Sequence, residues 1–175
     1  GRVIQSPYEQ GKAEDYYKAF YERYAKGETF SKDSIQLPDS LKYKTLRLGR
    51  TVYGGGGIMP DIFIPADTSH YTPFYGEIVR KGLLTDFVNS YVDNNRQQLV
   101  RKYKSVEDFD KSFDVNDKFF NEFLSYCKSK EVEPKDNQIE ISGPELKKYL
   151  KAFILRNLFD FNSYMEFVNR DDKEI

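Results

Sequence analysis

Three kinds of residue in this chain could do covalent chemistry, and each is scarce or badly placed. There is one histidine, His70, and one cysteine, Cys127. His70 sits between Ser69 and Tyr71, beside a helix start, where a histidine is usually a surface or capping residue rather than a base. Cys127 falls on the apolar stripe of a helix, where a free thiol behaves as a small buried hydrophobe. Serine chemistry needs a hydroxyl activated by a histidine or by a desolvated lysine, and no Gly-x-Ser-x-Gly occurs. The run Gly54-Gly55-Gly56-Gly57 invites comparison with phosphate-binding loops. Those loops continue into Lys-Ser/Thr or into a helix, whereas here Ile58-Met59-Pro60 and an apolar segment follow. A single histidine cannot build a multi-histidine metal site. The acidic pairs Glu14/Asp15, Asp108/Asp110 and Asp171/Asp172 lack the spacing of a calcium loop. No cofactor is expected.

Composition narrows the remaining classes. The chain has 175 residues, with 27 basic and 28 acidic side chains and a net charge of −1. Mixed charge of this kind reads as solvated helix faces and argues against nucleic-acid binding, which needs a basic excess. Fourteen Tyr and 14 Phe with no Trp supply the apolar area. Such rings can fill a core with few residues or form an adhesive outer face. No apolar run approaches the ~20 residues that span a bilayer. One cysteine rules out an intrachain disulfide. The chain opens on Gly1-Arg2-Val3-Ile4 and reads as a piece of a longer polypeptide.

The elements that must position these residues follow from periodicity. Arg2-Val3-Ile4-Gln5 reads as a strand tail broken by Ser6-Pro7. Residues 14–26 read as a helix carrying Tyr16, Tyr17, Phe20, Tyr21 and Tyr24 on one wide face, with Gly27 as C-terminal cap. These five residues are the candidate interaction surface, because so broad an aromatic face beside a loop and a glycine run lacks partner area. One or two short strands are expected around residues 41–44 and 51–53, and another at residues 62–64.

From about Asp67 the pattern is helical. Thr72-Pro73 starts a helix that stops at Gly82, and a long helix covers residues 84–103. Ser105 opens a short helix, Asn116 caps the next, and a last helix covers residues 161–168. Ser142-Gly143-Pro144-Glu145 has the form of a capping box and predicts a helix start at Ser142. Phe87, Tyr91, Phe119, Phe123, Leu150, Phe153 and Ile154 are the expected core. The fold class is α+β, predominantly α-helical: residues 1–66 with a small β element, and residues 67–175 as a helical, bundle-like domain.

Several of these pieces together resemble one family, the carboxyl-terminal processing peptidases, which are Ser/Lys-dyad serine proteases related to the tricorn protease core. Gly1-Arg2-Val3-Ile4-Gln5 resembles the end of the Thr-Pro-x-Gly-Arg-x-Ile-Gln segment that follows their catalytic lysine. Gly57-Ile58-Met59-Pro60-Asp61-Ile62-Phe63-Ile64 resembles their Gly-Ile-x-Pro-Asp turn and strand. The residues between, ending in Gly49-Arg50-Thr51-Val52-Tyr53-Gly54-Gly55-Gly56-Gly57, resemble the Tyr-rich insertion of long members from some Gram-negative bacteria. Those members also carry a helical C-terminal extension. The motifs cover about twenty residues. Gly55 stands where a superficial alignment would place the general-base lysine, so no catalytic residue carries over.

The resemblance implies a non-catalytic C-terminal accessory region of a serine endopeptidase, in the periplasm or cell envelope. Its implied partners are the upstream protease core, a protein or peptide substrate, and for the isolated chain a second copy. It also implies that Val3-Ile4 lies beside Ile62-Phe63-Ile64. The rival readings are a stand-alone helical interaction module of the envelope and a small enzyme using His70 or Cys127.

Overall fold

A computed structural model of the chain describes Ile4, residues 9–55 and residues 62–172. The chain divides into two compact units, Gly1–Asp67 and Thr68–Ile175. The architecture is predominantly helical with a small antiparallel sheet in the first unit.

In the first unit, helix α1 spans Ala13–Ala25. Glu14 and Asp15 in its first turn and Arg23 in its last complement the helix dipole. Gly27 ends it with φ +80. The Gly27 amide donates to the Tyr24 carbonyl and the Glu28 amide to the Arg23 carbonyl, the paired bonds of a left-handed C-terminal cap. Strands β1 (Lys42–Lys44) and β2 (Thr51–Tyr53) pair antiparallel, with Tyr43 opposite Val52. Gly49, at φ +61, turns the chain between them, and the Thr45 hydroxyl accepts from the Arg50 amide at 2.9 Å. Among the described residues of this unit only Gly54 is buried.

The strand expected at residues 62–64 does not form. Those residues belong to no ladder, and Ile62 is 79% exposed. A short apolar run becomes a strand only where another strand satisfies its amides, and Pro65 supplies no donor of its own. The expected strand at Arg2–Gln5, its pairing with residues 62–64, and the Gly57–Asp61 turn lie largely outside the described residues.

The described residues of the second unit form six helices: α2 (Pro73–Arg80), α3 (Leu83–Lys102), α4 (Val106–Ser112), α5 (Asp117–Ser129), α6 (Gln138–Leu158) and α7 (Phe161–Asn169). Four starts carry the side-chain caps their sequences advertise. Thr72, Ser105, Asn116 and Asp160 accept from the amides of Tyr75, Asp108, Phe119 and Ser163. Gly82, at φ +67, turns α2 directly into α3.

Helix α6 departs from the expected boundary. It begins at Gln138, so Ser142, Gly143 and Pro144 lie inside it. The capping-box residues are not at a helix end because Ser142 and Gly143 are buried in the core. Pro144 and Glu140 are both exposed, so water can take the carbonyl that proline leaves unpaired.

The core runs through α3, α5 and α6. Val88, Val92, Phe123, Leu146, Leu150 and Ile154 are fully buried. Of the residues expected in the core, Phe119, Phe123, Leu150 and Ile154 are buried. Phe87, Tyr91 and Phe153 are only half-buried and pack against its edge. Aromatic rings meet mostly edge to face, as at Tyr91–Phe119 (4.8 Å), while Phe109 and Phe113 stack at 4.7 Å.

Candidate functional site

Helix α1 presents the candidate surface. None of its residues is buried. Tyr17, Phe20, Tyr21 and Tyr24 are 60%, 62%, 66% and 52% exposed, and Tyr16 is 39% exposed. The rings support one another locally, with Tyr16 edge-on to Tyr17 (6.0 Å) and Phe20 edge-on to Tyr21 (5.8 Å). Tyr24 reaches beyond the helix and meets Phe30 at 5.3 Å. Along one side, Tyr17 and Tyr21 line an apolar groove of about 480 Å³ whose edges are Glu14, Lys18 and Glu22. An exposed aromatic face of this breadth marks an interface more often than a plain solvated surface. The five residues singled out by sequence therefore share one exposed helix face.

The groups able to do chemistry are held in structural roles. Cys127 is fully buried, and burial pushes its thiol up to about 12. It stays protonated at neutral pH and is no nucleophile. The His70 ring packs edge-on against Tyr75 at 5.2 Å, and the His70 carbonyl accepts a hydrogen bond from the Ser142 hydroxyl at 2.7 Å. Tyr75 is pushed up to about 12, by burial first and then by Tyr149, Glu145, Tyr164 and Tyr71, so it too remains protonated.

One polar network is complete. The Tyr75 amide donates to the Thr72 hydroxyl, and the Ser142 hydroxyl donates to His70. The 2.7 Å contact between the two hydroxyls then runs from Thr72 as donor to Ser142 as acceptor. Each proton has one acceptor in this relay, which ties the start of α2 to α6 across 70 residues. A second network joins α4, α6 and the end of α7. Asp110 accepts from Arg170 at 2.6 Å and is paired with Lys151 at 3.2 Å. Burial pushes the Asp110 carboxyl upward, but hydrogen bonds from Arg170 and Lys151 outweigh it and hold the group below its ordinary range. Both cations also lie over the Phe167 ring.

Two further clefts open on the described surface. One of about 310 Å³ has Tyr91, Tyr103, Phe113 and Phe119 in its floor and Gln98 and Lys102 at its lip. A hydrogen bond with the Tyr103 hydroxyl raises the Lys102 pKa and favours its charged form. The other, of about 660 Å³ in the first unit, is lined by Lys32, Ile35, Gln36, Leu37, Pro38 and Tyr53. It brings no nucleophile beside a base. Among the described residues no cluster of His, Cys, Asp or Glu is arranged to hold a metal ion, and no helix is long and apolar enough to cross a membrane.

Sequence reasoning missed both networks. Thr72 and Ser142 each carried a helix-cap signal, but nothing in a cap pattern tells which distant hydroxyl will meet it. Asp110, Lys151 and Arg170 look like ordinary surface charges until three helices bring them together.

Residues 74–160, most of the second unit, match the model of a family of unknown function, DUF8443. No curated protein and no solved structure matches the chain.

Proposed function

We propose that this chain is the non-catalytic C-terminal accessory region of a carboxyl-terminal processing serine peptidase of a Gram-negative cell envelope. In this reading it packs on the protease core of the same polypeptide, and α1 recruits unfolded protein substrate. The observation that carries the role is the exposed aromatic face of α1, where four rings are more than half exposed on a helix with no buried residue. Tyrosine suits such a task because it offers a large flat area with a polar tip. The family assignment rests on the glycine-rich motifs of residues 1–5 and 49–64. The inert state of Cys127 agrees with a region that does no chemistry of its own.

Two measurements test this reading. The 175-residue chain, incubated with reduced, carboxymethylated casein, is expected to leave it intact. Cleavage abolished by substituting a Ser or Lys within this chain would overturn the non-catalytic assignment. The reading frame ahead of Gly1 is expected to encode a Ser/Lys peptidase core. A different domain there would favour the stand-alone interaction module instead.

A further inference from the structure

We propose that the cleft between α3 and the start of α5 binds a free α-amino acid with an aromatic or large apolar side chain. Its carboxylate meets Lys102, its ammonium meets Asp114 and its side chain lies on the floor of rings. The inference does not depend on the peptidase reading or on α1. Every residue that lines the cleft lies within residues 74–160, the stretch matched by the family.

The walls follow from helix geometry. Gln98 and Lys102 stand seven and eleven residues after Tyr91 on α3. At 3.6 residues per turn those steps return to within about 20° of one line, so one edge of α3 forms one wall. The turn from α4 into α5, with Asp114 and Asn116, supplies the other. The floor rings touch in sequence: Tyr91–Phe119 at 4.8 Å, Phe119–Phe113 at 6.0 Å and Phe113–Tyr103 at 5.9 Å. Tyr103, Phe113 and Phe119 are rooted in the core, so the floor is set before a ligand arrives. The volume, about 310 Å³, is at the lower end of small-molecule sites. It suits a single small molecule rather than a segment of another chain.

The charges fix the class of ligand. Lys102 and Asp114 are the two charged residues lining the cleft, one on each wall. The Lys102 ammonium stands 5.0 Å from the centre of the Tyr103 ring and acts on Tyr91 as well. Asp114 is not among the groups that act on Lys102, so cation and anion stand apart. Asp108 does act on Lys102, but its carboxylate oxygens already accept from the Lys104 amide at 3.3 Å and the Ser112 hydroxyl at 3.4 Å. Glu122 acts on Tyr91 without lining the cleft. A ligand with one charge would meet one favourable and one unfavourable side chain. A dipolar ligand meets two favourable ones. An α-amino acid has that charge pattern, with its side chain branching from the carbon between. The Gln98 amide at the lip can donate to the carboxylate.

Binding is expected to be weak. Lys102 and Asp114 are both exposed, and contacts between charges open to water contribute little. A ligand of this size then has a Kd of about 1 mM.

The test is a nitrogen-edited NMR titration of the whole chain with L-phenylalanine to roughly 20 mM at pH 7, well above that Kd. Saturable shifts should be confined to amides around the cleft. N-acetylphenylalanine keeps the carboxylate and imitates a peptide C-terminus; phenylalaninamide keeps the ammonium and imitates an N-terminus. Each should bind about three- to fivefold more weakly than phenylalanine, the upper range for a charge contact open to water. Glycine, without a side chain, should give no shift. Lys102→Met should lower phenylalanine to the level of phenylalaninamide, and Asp114→Asn to the level of N-acetylphenylalanine. Both positions are exposed, and circular dichroism matching the parent chain shows that the variants are folded. No saturable shift at the cleft, or variants that bind phenylalanine as the parent does, overturns the proposal. A blocked derivative that binds as tightly as phenylalanine overturns it in favour of a peptide terminus.

Discussion

At the scale of single residues, the side chains that looked most reactive are the most constrained. Ser142 is fully buried and both donates and accepts. Ser142→Ala leaves the buried Thr72 hydroxyl proton without its acceptor and the part-buried His70 carbonyl without its donor. It should cost about 1–3 kcal/mol in urea denaturation, the usual penalty for orphaned buried groups. A loss below about 0.5 kcal/mol would show that water replaces the hydroxyl. Cys127 makes a pH prediction whose sign is fixed. Its folded pKa, about 12, lies above the ordinary 9.0, so the folded state keeps a proton that the unfolded chain releases. The contribution is complete below about pH 9 and is lost as pH rises toward 12. The alkaline fall in stability of Cys127→Ala should therefore be shallower than that of the parent chain. Equal slopes would assign the fall to other groups, Tyr75 first.

At the scale of elements, helix ends were easier to read than helix faces. The caps at Thr72, Ser105 and Asn116 and the glycines at 27 and 82 act locally, whereas the equally local signal at Ser142 is overridden by burial inside α6. Phe153 shows the limit. Its spacing on α6 is that of a core residue, yet it lies half-buried against Tyr164, with the rings stacked at 5.6 Å. Phe123, on the same kind of periodic pattern, is fully enclosed. Phe123→Ala should cost about 3–5 kcal/mol, and Phe153→Ala clearly less. Equal losses in chemical denaturation would contradict the difference in burial. Gly76 offers a test of the opposite sign. A Cβ there would approach the Tyr71 hydroxyl at 2.5 Å, but Tyr71 is 59% exposed and its far end can swing away. Gly76→Ala should then be neutral or stabilising by up to about 1 kcal/mol, the helix-propensity gain. A melting temperature lowered by the substitution would mean that Tyr71 is held in place.

At the scale of the molecule, the two units differ in what holds them. The second has a continuous apolar core. The described residues of the first bury only a glycine, and its helix keeps its aromatic rings in water. Residues 68–175 alone should unfold in one cooperative step with helical circular dichroism, whereas residues 1–67 alone should show little helix. An isolated helix of α1's length is marginal in water. A cooperative transition from the shorter piece would show that its rings find a core of their own. Helical periodicity, the caps, the β-prone pairs at residues 42–44 and 51–53, and the breadth of the α1 aromatic face were all legible in the chain, because each depends on neighbours within a turn or two. Three features depended on the tertiary structure: the start of α6 ahead of Ser142, the partial exposure of Phe87, Tyr91 and Phe153, and the Asp110–Lys151–Arg170 cluster. Each is decided by which surfaces meet across many residues of sequence. A hydroxyl becomes a cap or a core link, and a ring becomes core or rim, according to the free energy of the group packed against it.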